Sequence, residues 1–152
     1  MHADDVLEEL AGLHDRLTKA ASGLTPDQLD RAPAGGANSI AVLITHTLGS
    51  EADWLSRAAG RTIVRDRPSE FTTRQKTADD LIAAVAHASD AAPELVETAI
   101  AAGVDTMRAG GSLAGTSSAR TISYCLAHVL AHTAEHVGHA EVARQVVTER
   151  SD

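Results

Sequence analysis

Four of the chain's eight histidines fall within one twelve-residue stretch, HVLAHTAEHVGH at 128–139. Taking His128 as zero, a helix sets His132 at about 40°, His136 at about 80° and His139 at about 20°, all on one face. Along the axis they step by about 6, 6 and 4.5 Å, so one ion cannot reach all four. Neighbours four apart stand one above the other and can share a metal. HVLAH (128–132) and HTAEH (132–136) both meet that requirement. Burying several imidazoles with no charge or metal beside them is costly, which favours a cation at this cluster. A single histidine on an apolar face is more often a hydrogen-bonded core residue. His14, between Leu10 and Leu17, is read that way, and His2 and His87 as solvated.

Two imidazoles hold a metal weakly, and a third has to come from another helix. The stretch NSIAVLITHTLGSEADWL (38–55) offers His46, the only histidine of its segment, with Ser50 and Asp53 on the same face. Three histidines from two helices make a half-open site, with room for water or substrate. Metal held in this manner is a Lewis acid and brings a bound water or thiol toward a neutral pKa. Cys125 shares the face but lies about 10 Å along the axis from His132, too far to join it.

Four helical segments must position these residues. The first, roughly 3–22, carries Val6, Leu10, Leu13 and Leu17 in one stripe. LTPDQLD (24–30) reads as a short turn of helix with Pro26 in its first turn, and RAPAGGA (31–37) breaks the chain. Asn38 is placed to cap a second helix, 39–60, that stops at Gly60. Residues 61–76 are charged and irregular. A third helix begins near Thr77 with Leu81, Val85, Ala88, Ala92, Leu95 and Ala99 inward, and Pro93 predicts a kink or break within it. RAGGSLAGTSS (108–118) has linker composition; it lacks the Lys-Ser/Thr ending and preceding strand of a phosphate loop. The last helix, about 120–149, is the longest. Connections of about sixteen residues exceed what adjacent antiparallel helices need and reach back along a whole helix. The expectation is an all-α four-helix bundle with long crossovers, a single domain over 1–152.

Composition agrees. Hydrophobic residues make up 43% and aromatics only 2%, so the core must be built from Leu, Val, Ile and Ala, which suits close-packed helices. A net charge of −8 disfavours sequence-independent nucleic-acid binding, which runs on Lys and Arg. No apolar run approaches the ~20 residues of a membrane span. The acidic start has no signal-peptide character, and the lone Cys125 fits a reducing compartment. The reading is a cytoplasmic protein with a small-molecule substrate and neither nucleic-acid nor membrane partners.

The order of LTPDQLDRAPAGGANSIAVLITHTLGSEADWL and then YCLAHVLAHTAEHVGHAEVARQVV resembles the DinB-like superfamily of four-helix bundles. That group includes mycothiol-dependent maleylpyruvate isomerase and bacillithiol S-transferase-like proteins. The resemblance implies an up-down-down-up bundle and a divalent metal, zinc or nickel, held by one histidine of the second helix and a His-x-x-x-His of the fourth. It thereby selects His46, His132 and His136, and it implies a homodimer. His128 and His139 become neighbours, with His128, Glu135 and Asp53 as candidates for proton transfer or for orienting a ligand.

The function expected from this is a metal-dependent enzyme. It would activate a low-molecular-weight thiol, in a transferase or isomerase, or a water, in a hydrolase. The Ala-, Asp- and Arg-rich composition is associated with high-GC genomes and makes mycothiol a candidate thiol. The alternative is a non-catalytic module of the same fold that binds or senses a metal or small molecule, and a bundle with a decayed site is a third reading.

Overall fold

The stripe Val6, Leu10, Leu13 and Leu17 is buried along α1 (Ala3–Ala21), the first helix of a computed structural model that describes residues 1–108 and 119–149. The chain leaves α1 through Gly23, whose φ of 74° suits a residue without a side chain. A one-turn helix α2 (Pro26–Asp30) follows, closed by a reciprocal capping box between Thr25 and Gln28. α3 (Ile40–Ala58) begins one residue later than the sequence suggests. Ser39, rather than Asn38, is its cap, the hydroxyl accepting from the Val42 N–H at 3.3 Å. It ends before Gly60, which takes the left-handed conformation with φ 76°.

The segment read as irregular contains a single helical turn, α4 (Arg67–Glu70), capped by Asp66 and started by a proline in its first turn. α5 (Ala78–Ala101) opens on a capping box between Thr77 and Asp80 and runs through Pro93 unbroken. Pro93 is exposed while Ala92 and Val96 are buried, so packing on the inner face holds the helix across the missing backbone bond. Val96, rather than Leu95, occupies the buried stripe. Two short strands, β1 (Met107–Arg108) and β2 (Arg120–Thr121), pair antiparallel; the alternation expected of strands is too short to be seen at two residues each. Nearly all of the linker-like stretch 108–118 lies outside the described residues. α6 (Ile122–Glu149) completes the chain. No described helix is long and apolar enough to cross a membrane.

Two apolar clusters show how the helices are arranged. One joins Leu17 and Ala21 of α1 with Ile40 and Ile44 of α3, Leu81 of α5 and Val147 of α6. The other joins Val6 with Trp54, Val96 and Ile122. Accordingly α1 and α6 run in one direction and α3 and α5 in the other. α3 packs against α5 and α6, α1 packs against the same two, and α1 and α3 stand across the diagonal. Truncating Leu17 or Ile44, both fully buried, to alanine is expected to cost about 2–5 kcal/mol. Because α3 and α5 are parallel, residues 59–77 must travel the length of the bundle. On that path they lay α4 against α3.

Candidate metal centre

His46 faces inward from α3 at 7% exposure. His132 and His136, one turn apart on α6, place their rings 5.2 Å from it, centroid to centroid. One coordinating atom of each of these three histidines lies within 4.8 Å of the others. The Nε2 atoms of His132 and His136 are 3.2 Å apart. Two ligand atoms about 2.0–2.1 Å from a tetrahedral ion stand about 3.3 Å apart, so this spacing fits a shared ion. Burial pushes the His132 pKa down to about 3, aided by the nearness of His136, His46, His128 and Arg65. Burial first, and then His46, lowers that of His136. Both rings are therefore neutral at neutral pH, the state that ligates a metal. The residues fit a divalent cation.

The crossover supplies what the histidine pattern did not reveal. Glu70, at the end of α4, accepts from His46 Nδ1 at 2.8 Å. A neutral imidazole that donates from Nδ1 keeps its lone pair on Nε2, and the tautomer is thereby fixed. Glu70 is itself gripped by Arg65, Nε to Oε1 at 2.7 Å and Nη2 to Oε2 at 2.9 Å. Arg65 Nη1 also stands 3.6 Å from Asp53. The ring of Phe71 lies 4.7 Å from that of His46. Space for the carboxylate comes from Gly49, one turn along α3, where a Cβ would overlap Glu70 Oε1. A signal for this turn exists in DRPSE (66–70), an Asp cap followed by proline. Nothing local says that it folds back onto His46.

Two cavities border the triad. One of about 140 Å3 reaches His46 and His132 and is walled by Ser50, Asp53, Trp54, Arg65, Arg67 and His128. The other, about 400 Å3, reaches His136 and His139 between Pro33, Leu43 and Val142. Asp53 and His128 thus stand beside the triad. The His128 ring lies 4.3 Å from that of Trp54 and is stacked on Tyr124, and burial lowers its pKa. Glu135 is exposed, borders neither cavity, and acts on His136 only through its charge. His139 is exposed with its Nδ1 3.4 Å from that of His136. Cys125 is buried in the core, where desolvation raises its pKa and keeps it a thiol.

His14 has a different setting. It is 3% exposed, with Nε2 2.9 Å from Glu51 and Nδ1 2.6 Å from the Ser89 hydroxyl. Both ring nitrogens are used, as the core reading requires. His2 and His87 are exposed.

No curated protein matches the chain. The family model of the DinB superfamily matches residues 3–140, which include all three histidines of the triad. With that match over most of its length, the chain belongs to the DinB superfamily.

Proposed function

We propose that this protein is a divalent-metal enzyme that activates a low-molecular-weight thiol, or in the close variant a water, for attack on a small electrophile. The observation that carries this reading is the three-histidine convergence. Among the described residues no fourth His, Cys, Asp or Glu joins the cluster, and cavities border it on both sides. A structural site closes its fourth position with protein, whereas a catalytic one leaves it for water or substrate. His46, His132 and His136 would hold the ion, zinc or nickel, which when bound would supply Lewis acidity to bring a thiol or water toward ionisation at neutral pH.

The chain's own residues do the rest. His132 and His136 are held neutral by burial. Glu70, pinned by Arg65, aims His46. Asp53 and His128 border the smaller cavity and can take a proton from an incoming nucleophile. The larger cavity offers an apolar wall for the electrophile. Mycothiol is the candidate thiol by resemblance, and a homodimer the candidate assembly.

The test is a screen of metal-loaded protein with thiols, mycothiol included, and electrophiles, following S-conjugates by mass spectrometry. Conjugates that form with wild type and vanish in His132→Ala are expected. Metal bound at full occupancy without turnover of any thiol or of hydrolysable esters would instead favour a binding or sensing module.

A further inference from the structure

The chain carries a net charge of −8, yet arginines recur along the stretch that follows α3, at Arg57, Arg61, Arg65 and Arg67, and in the β1–β2 ladder, at Arg108 and Arg120. Arg65 and Arg67 line the smaller cavity, and Arg57, Arg108 and Arg120 are joined to one another beyond Trp54. Arg57 lies over Trp54 at 4.9 Å and donates to the Arg108 carbonyl at 3.3 Å. Arg108 pairs with Arg120 across the two-residue ladder, and Arg120 lies over Tyr124 at 5.1 Å. Some of this charge is answered internally: Arg61 meets Glu94, and Arg65 meets Glu70 and Asp53. Arg67 is not. It is exposed, rests on Phe71 at 5.0 Å, and has no carboxylate partner among the described residues. Phe71 in turn packs on His46, so the guanidinium stands at the cavity wall one ring away from the triad.

The larger cavity has the opposite character. Its wall is Pro33, Gly36, Ala37, Leu43, Val142 and Ala143 around His136 and His139. Arginine is the side chain best suited to hold a carboxylate or phosphate through two parallel N–H donors. Arg65 is answered by Glu70 and Asp53, so the guanidinium of Arg67 is the group at the smaller cavity's wall left to meet an anion.

We propose that the cavity at His46 and His132 is an anion-recognition subsite. Arg67 receives the carboxylate or phosphate of a small ligand whose donor atom reaches the triad, while the cavity at His136 takes the uncharged, apolar reactant. The site therefore selects an anionic nucleophile and an apolar electrophile, and it orients them from opposite sides. This rests on the metal-and-thiol reading for the identity of the nucleophile, but the charge preference can be tested without it.

The experiment uses the full chain loaded with Co(II), titrated with 3-mercaptopropionate, 2-mercaptoethanol and cysteamine. Binding is followed by the thiolate-to-cobalt absorption. Mercaptopropionate should bind on the order of tenfold or more tightly than mercaptoethanol, as a charge-assisted bond to arginine requires. Cysteamine should bind weakest. In Arg67→Gln the three affinities should converge at unchanged cobalt content, whereas Arg61→Gln should keep the wild-type order. Competition by acetate against inorganic phosphate tells which anion Arg67 prefers. Equal affinities for the three thiols, or a preference that survives Arg67→Gln, would overturn the subsite. If no thiol produces the absorption, the thiol reading fails instead. The subsite is then decided by whether propionate perturbs the cobalt d–d spectrum at lower concentration in wild type than in Arg67→Gln. A shift in the variant's midpoint supports the subsite, and identical midpoints refute it.

Discussion

Among the described residues two histidine–glutamate pairs are buried, and α3 contributes to both. In one, His46 of α3 meets Glu70 from the crossover at 2.8 Å. In the other, Glu51 of α3 meets His14 from α1 at 2.9 Å. The difference lies in the second ring nitrogen. That of His14 is engaged by Ser89 at 2.6 Å, so the imidazole joins three helices and has nothing left to offer. The second nitrogen of His46 is left to the side of His132 and His136, whose rings lie 5.2 Å away. One pair is a pin, and the other is a ligand held in orientation. Burial and a carboxylate partner do not distinguish them; what the far side of the ring faces does.

The largest effect that separates them is loss of the metal. His46→Ala or His132→Ala should take metal content from about one divalent ion per chain to none by elemental analysis, with helicity retained in circular dichroism. His14→Ala should keep the ion. Its cost is expected in folding, about 3–5 kcal/mol by denaturant titration, because Glu51 is left as an unpaired buried charge.

A smaller effect comes from the carboxylates. Glu70→Gln should weaken metal affinity by about 10–100-fold in competition with a chelator. Glu51→Gln should leave that affinity at the wild-type value. Gly49→Ala acts on the same carboxylate by displacing it from α3; a weaker loss of affinity than in Glu70→Gln is expected, with no effect on the His14 pin.

Acid sharpens the contrast further. In the metal-free protein the His132 pKa is pushed down to about 3, while the unfolded chain titrates at about 6.5. As pH falls, the unfolded state takes up the proton first, so the native state loses stability between about pH 6.5 and pH 3. Thermal unfolding of metal-free protein should show that decline, and His132→Asn should lessen it, the remainder coming from His136 and His128, whose pKa values burial also lowers. Above pH 7 the two proteins should show no pH-dependent divergence from this group.

The sequence made a good part of this legible, and the physical reasons are specific. Helices announce themselves through their 3.6-residue periodicity and local caps, as with the leucine stripe of α1 and the Thr77 start of α5. The His132–His136 pair is equally local, because one helical turn fixes its geometry. His46 required a relation between helices, and residue type alone nominated it while the family pattern selected it. Glu70 escaped altogether. It lies 24 residues from its partner, and its role depends on the path of a crossover whose residues look merely charged. Gly49 escaped for the same reason, since its meaning is the space that Glu70 occupies. The cap at Ser39 and the continuity of α5 differ from expectation on a smaller scale: two adjacent cap formers compete at α3, and of the kink or break expected at Pro93 the break does not occur, packing outweighing the proline.

The metal centre is tested most directly by a crystal structure of protein purified without chelator, with anomalous data at the absorption edge of the metal that elemental analysis finds. One strong peak is expected about 2.0–2.1 Å from a ring nitrogen of each of His46, His132 and His136, with Glu70 still bonded to the far side of His46 and no peak at His14. An anomalous map with no peak at the triad, or with the ion bound by His128 and His132 in its place, would contradict this assignment.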